Sequence, residues 1–148
     1  MGDEVHRCFV SVDVSEDVRN ELIGLQKALK KENLFSGTYT KPNQFHITLK
    51  FFKEIDDALL AEIKSRLERI DLEVVKLRLS GAGYFGGDVP SVLWVGIESS
   101  DLKVLYNRIE DNIWDVIPSK RNFKAHLTLA RVKRCKYNML LKKTLDEL

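Results

Sequence analysis

Histidine, cysteine and proline are scarce in this chain: three, two and three residues among 148. Two cysteines far apart, Cys8 in an alternating stretch and Cys135 in a basic tail, do not make a disulfide framework or a metal cluster; they read as intracellular thiols. No apolar run approaches the roughly twenty residues of a membrane span. The start, "MGDEVHRCFVSVDV", lacks a basic segment followed by an apolar one, so no secretory leader is expected. Gly2 has no Ser or Thr at the myristoylation spacing. Linkers rich in Pro, Gly or Ser are absent, as is low-complexity sequence. The net charge of +2 excludes a polyelectrolyte that binds by bulk charge alone. A cytoplasmic protein with one domain over residues 1–148, built as two lobes, is the expectation.

What is present suffices for a core. Hydrophobic residues are 44% and charged residues 31%, an ordinary globular balance. Val5 to Val14 alternates as a half-buried strand. Ser15 then offers an N-cap, with Glu16 and Asp17 in the first turn, and Val18, Leu22, Leu25 and Leu29 form a helical stripe. "FSGTYTKPNQ" reads as a loop, and a strand holding His46 follows. Asp56 caps a second helix with Leu60, Ile63, Leu67 and Ile70 on its inner face. "VVKLRLS" alternates as a strand, "GAGYFGGDVP" reads as a glycine-rich connection, and "VLWVGIE" resumes as the paired strand. Leu102, Leu105, Ile109 and Ile113 mark a third helix, and Pro118 a turn before the strand holding His126. The tail "YNMLLKKTLDEL" is compatible with a short helix or a last strand. This order gives an α+β class, with two similar lobes built around curved sheets.

Two of the three histidines sit in echoing strands, "FHITLKFF" from Phe45 and "AHLTLARV" from Ala125. Strand alternation places Phe45, Ile47, Leu49 and Phe51 on one face and His46, Thr48 and Lys50 on the other. In the second stretch Phe123, Ala125, Leu127 and Leu129 oppose Lys124, His126 and Thr128. Each strand thus buries an apolar face and presents a His beside a Thr, in the same register. A single His-x-Thr in a strand is commonplace; two with matching flanks in a chain this poor in histidine point to chemistry. Two imidazoles can divide proton transfer, one as general base and one as general acid. Two threonine hydroxyls can donate to non-bridging phosphate oxygens, and "KRNFKAHLTLARVKRCKYNMLLKK" gathers positive charge around the second pair. A zinc site needs a third or fourth ligand, and neither motif has one beside it in sequence, so no metal is expected. Arg131 shares the parity of Leu127 and Leu129, so it reaches the phosphate only where the strand bends or ends. Tyr84 and Phe85 are candidates for stacking on a base.

At "HITLKFF" and "HLTLAR" the chain resembles the 2H phosphoesterase superfamily, and within it the RNA 2′,3′-cyclic phosphodiesterase branch also called 2′-5′ RNA ligase. "RCFVSVDVSEDVRNEL" resembles that branch's opening strand and helix, and "GYFGGDVPSVLWVGIE" its aromatic loop and Trp-containing strand. Ala125 stands where members often carry proline. The resemblance implies a bilobal fold of two pseudo-symmetric lobes, antiparallel sheets flanked by helices, with the active-site cleft between them. It implies metal-independent hydrolysis of an RNA-terminal 2′,3′-cyclic phosphate to a 2′-phosphate; no cofactor and a monomer are the expectations. By analogy His46 is the acid and His126 the base, with Thr48, Thr128 and Arg131 on the phosphate. Reversal, as 2′-5′ RNA ligation, uses the same groups. The alternatives are a non-catalytic RNA- or nucleotide-binding module and a phosphodiesterase for another cyclic or 2′-5′ linked nucleotide.

Overall fold

The computed structural model describes residues 4–71, 74–117 and 123–148. The expected turn at Pro118 lies outside them. In chain order the elements are β1 (Val5–Asp13), α1 (Glu16–Glu32), β2 (Phe35–Tyr39), a 3-10 turn (Pro42–Gln44), β3 (His46–Asp56), α2 (Asp57–Leu67), β4 (Arg78–Gly86), β5 (Pro90–Glu98), α3 (Ser100–Ile113), β6 (His126–Cys135) and α4 (Asn138–Asp146). The class is α+β, with four helices and two sheets among the described residues. None of the described helices is long and apolar enough to cross a membrane.

Helix boundaries follow local chemistry. The Ser15 hydroxyl accepts from the Val18 amide at 3.3 Å, the Asp56 carboxylate from Leu59 at 2.8 Å, and Ser99 from Leu102 at 3.0 Å. Each satisfies one of the amides that a helix start leaves without a partner. Asn33 ends α1 in the left-handed conformation at φ 51°, and its amide donates to the Lys30 carbonyl.

The chain divides into two compact units. Unit 1 comprises Met1–Ser11, Thr48–Leu77 and Ser99–Phe123; unit 2 comprises Val12–Ile47, Arg78–Glu98 and Lys124–Leu148. Most of the β1–β3 sheet belongs to unit 1, with α2 and α3. Its core includes Leu49, Phe52, Ile63, Leu102, Ile109 and Ile113, all buried. Unit 2 holds the four-stranded sheet, ordered β2-β6-β5-β4 with every neighbour antiparallel, together with α1 and α4. Leu22, Leu29, Leu93, Leu127, Leu141 and Leu145 are almost wholly removed from water there, each contributing about 1.5–3 kcal/mol.

Two expectations change, and the structure chooses between the two left open for the tail. The "FSGTYTKPNQ" segment is not all loop, because Phe35–Tyr39 pairs with β6 as an edge strand. Gly37 makes this possible: a Cβ there would lie 2.0 Å from the Arg131 carbonyl oxygen, so only glycine lets the backbones approach. The strand expected over "VVKLRLS" instead begins at Arg78 and runs through the glycine-rich segment to Gly86. Gly83 within it leaves room for the Trp94 ring, which a Cβ would meet at 2.4 Å. The tail forms helix α4, burying Leu141 and Leu145 at i,i+4 spacing.

Candidate active site

Residues directly opposite in an antiparallel ladder project to the same side, so the register of the four-stranded sheet fixes which side chains share a face. Gly96 opposes His126, Trp94 opposes Thr128, and Leu93 opposes Ala130. Leu93 and Trp94 are consecutive, whereas Thr128 and Ala130 are two apart. Leu129 is therefore an extra residue, a β-bulge, and both Leu129 and Ala130 turn into the core. Beyond the bulge the parity of β6 is reversed. Arg131 pairs with Val92 on one side and Thr38 on the other, which puts it on the face of His126 and Thr128. Its sequence parity pointed inward; the bulge is the bend that turns it outward.

A buried glutamine holds that bulge. Gln26 of α1 lies between Leu22 and Leu29 on the inner helix face and is buried. Its Nε2 donates to the Leu129 carbonyl at 3.0 Å and to the Thr40 carbonyl at 2.8 Å, while the Thr40 amide donates to the same Leu129 oxygen at 3.0 Å. Reading α1 as an apolar stripe passed over this residue. The available signal was a lone amide four residues after Leu22 and three before Leu29, at a position where an unpartnered polar group costs about 1–3 kcal/mol.

His126 is half-buried. Its Nδ1 lies 3.0 Å from the Lys124 carbonyl oxygen. A carbonyl can only accept, so Nδ1 carries the proton and Nε2 is left as the nitrogen that exchanges one. Phe85 meets the imidazole edge-on, with centroids 5.3 Å apart at 88°, and Trp94 lies at 6.3 Å. Trp94 packs against Phe85 at 5.6 Å and over Gly83. Its buried indole N–H has no hydrogen-bond partner among the described residues, a cost that this ring packing must offset.

The two aromatic candidates separate. Phe85 pairs with Val92 and shares the histidine's face, 46% exposed. Tyr84 pairs with Leu93 on the opposite face and lies under the Lys142 ammonium of α4, 5.1 Å from ring centroid to Nζ. Strand alternation thus takes Tyr84 away from the histidine, and its expected stacking on a base has no support in this placement.

The first motif is built differently. His46 opens β3, half-buried between the buried Phe45 and Ile47, and belongs to unit 2 with His126. The chain enters through the 3-10 turn, whose Pro42 carbonyl accepts from Arg19 Nε at 3.1 Å. Thr48 is exposed and belongs to unit 1. Alternation then fails after Leu49. Lys50, expected beside His46 and Thr48, has its side chain only 7% exposed; Nζ donates to Glu110 Oε1 and Oε2 at 2.9 and 3.2 Å and to the Ile117 carbonyl at 3.3 Å. Phe51, expected in the apolar set, is 50% exposed, and Phe52 is buried instead. Three possible metal ligands, Glu4, His6 and Asp57, do gather within 4.8 Å of one another in unit 1. None belongs to a His-x-Thr pair.

Residues 12–94 match the sequence profile of the LigT like phosphoesterase family. The chain belongs to this family. Among LigT-like relatives, an RNA 2′,3′-cyclic phosphodiesterase of Archaeoglobus fulgidus is 34% identical over 132 residues, covering 86% of this chain and 73% of that protein. One of Thermotoga maritima is 30% identical, covering 86% and 70%. TT0787 of Thermus thermophilus superimposes with a TM-score of 0.74 at 27% identity, over 87% of this chain and 75% of that one. E. coli LigT complexed with phosphate has a TM-score of 0.64 at 22% identity, over 86% and 72%, and shares the fold. The LigT-like profile takes in the first His-x-Thr pair and ends at Trp94, so the second pair lies beyond it.

Proposed function

We propose that this chain hydrolyses the 2′,3′-cyclic phosphate at an RNA terminus to a 2′-phosphate, with His46 and His126 exchanging the protons. One observation carries the reading most: His126, with Nδ1–H committed to the Lys124 carbonyl, shares a sheet face with Thr128 and, through the bulge at Leu129, with Arg131. The family and the names of its relatives supply the substrate class.

In this scheme His126 Nε2 takes a proton from water as the water oxygen attacks phosphorus. The bond from phosphorus to O3′ breaks, and His46, protonated beforehand, gives its proton to O3′. The product carries a 2′-phosphate and a 3′-hydroxyl; His126 releases its proton to solvent and His46 regains one, closing the cycle. Thr48 and Thr128 donate to the non-bridging oxygens, and the Arg131 guanidinium offsets the charge that builds on them. Phe85, exposed and already braced against His126, offers a surface for the terminal base.

The enzyme is read as a metal-independent monomer of the cytoplasm. Incubating the protein with a short RNA ending in a 2′,3′-cyclic phosphate, in EDTA, tests the reaction and the metal independence together. Conversion to a 2′-phosphate is expected. A 3′-phosphate product, or turnover that returns only with added divalent metal, contradicts the scheme, and tight binding without turnover would mark a binding module.

A further inference from the structure

β6 contains a second bulge that the scheme above does not use. Gly37 pairs with Val132 but Ser36 pairs with Arg134, so Lys133 is an extra residue. Arg131 and Arg134 are three apart and would project to opposite faces of a regular strand. The bulge brings both onto the face of His126 and Thr128, opposite Thr38 and Ser36. The arrangement is fixed on the other face. Cys135 Sγ donates to the Leu34 carbonyl at 3.4 Å, and Gly37 admits the close approach to the Arg131 carbonyl.

Both arginines are exposed, as are Ser36 and Thr38. α1 and α4 pack on the opposite face: α1 residues Gly24 and Leu25 lie by Ala82 and Val95, and Lys142 of α4 covers Tyr84. On the β2–β6 half of the histidine's face the paired side chains, with those that follow from them, are Ser36, Thr38, His126, Thr128, Arg131 and Arg134, flanked by the bulged Lys133. All can donate a hydrogen bond, and no carboxylate is among them. Neither arginine makes an ion pair among the described residues. Ser36 and Thr38 are two strand positions apart, which sets the two arginines about 7 Å apart along the sheet. Guanidinium forks in a row with hydroxyls suit successive phosphates of one strand.

We propose that Arg134, with the Ser36 hydroxyl, forms a second phosphate subsite that holds the RNA backbone leading to the terminal cyclic phosphate at His126, Thr128 and Arg131. This rests on the phosphodiesterase reading and deepens it: the enzyme prefers an RNA chain end to a free cyclic nucleotide.

The test compares two substrates, a nucleoside 2′,3′-cyclic monophosphate and a short oligoribonucleotide ending in the same group. For Arg134→Ala, the oligonucleotide-to-mononucleotide ratio of kcat/KM falls roughly fivefold, through the oligonucleotide KM, as expected for one lost phosphate contact. Arg134→Lys restores part of it, and Lys27→Ala on the helix side leaves it unchanged. An unchanged ratio in Arg134→Ala overturns the subsite. A direct binding measurement separates its failure from failure of the phosphodiesterase reading. In a His126→Ala background, a fluorescent oligoribonucleotide with a 3′-phosphate binds with a log–log salt slope that Arg134→Ala reduces by about 0.7, the value for one contact on a single strand. That reduction supports the subsite whatever the protein turns over, and an unaltered slope and affinity refute it.

Discussion

The two His-x-Thr strands begin alike and part company at the same place. From His46 and from His126, the next three residues repeat one pattern: apolar and buried, threonine, leucine buried. The fourth residue after each histidine then also turns inward, where alternation would send it out. In β6 it is Ala130, needing nothing in compensation. In β3 it is Lys50, whose buried ammonium is matched by Glu110 from α3. The fifth residue is exposed in both: Phe51 in one strand, Arg131 in the other. An equivalent break in alternation therefore presents an aromatic ring from one copy and a guanidinium from the other. A repeated motif need not carry repeated function beyond its first three positions.

The contrast at the fourth position gives the largest expected effect. Glu110→Ala leaves the Lys50 charge buried without its partner and should cost about 3–5 kcal/mol in denaturant unfolding, whereas Lys50→Met with Glu110→Leu should come out near neutral. A loss below about 1 kcal/mol in Glu110→Ala would mean that the pair is not buried as described.

The contrast at the fifth position is sharpened through Gln26. Gln26→Leu takes the donor from the Thr40 carbonyl and leaves the Leu129 carbonyl with the Thr40 amide alone, and should cost about 1–3 kcal/mol. If the amide also keeps Arg131 on the histidine's face, its effect on kcat/KM is contained within that of Arg131→Ala. The double variant should then be no slower than Arg131→Ala alone. Independent, multiplying losses would assign Gln26 a role in stability only.

Much of this was legible in the residues. The Ser15 and Asp56 caps, the helical stripes and the inward and outward order of both motifs through their leucines follow from periods of 3.6 and 2. What was not legible has a common cause: contacts made far along the chain. A bulge adds one residue to one strand, so parity counted along β6 could not by itself put Arg131 on the histidine's face. Lys50 reads as a surface residue until α3 brings Glu110 to it from sixty positions away. Tyr84 and Phe85 are adjacent in the glycine-rich segment, and only the pairing with β5 shows which one faces His126. Phe35–Tyr39 looked like a loop because its strand character depends on a backbone approach that Gly37 permits from β6.

The central claim is that the two histidines divide proton transfer, and the pH dependence of turnover tests it most directly. For cyclic-phosphate RNA, kcat/KM of the wild type should trace a bell against pH, one limb for the base losing its proton and one for the acid losing its own. His46→Ala and His126→Ala, each confirmed folded, should lose that turnover by at least about a hundredfold. A flat profile, or a folded variant of either histidine that keeps wild-type turnover, would contradict the account.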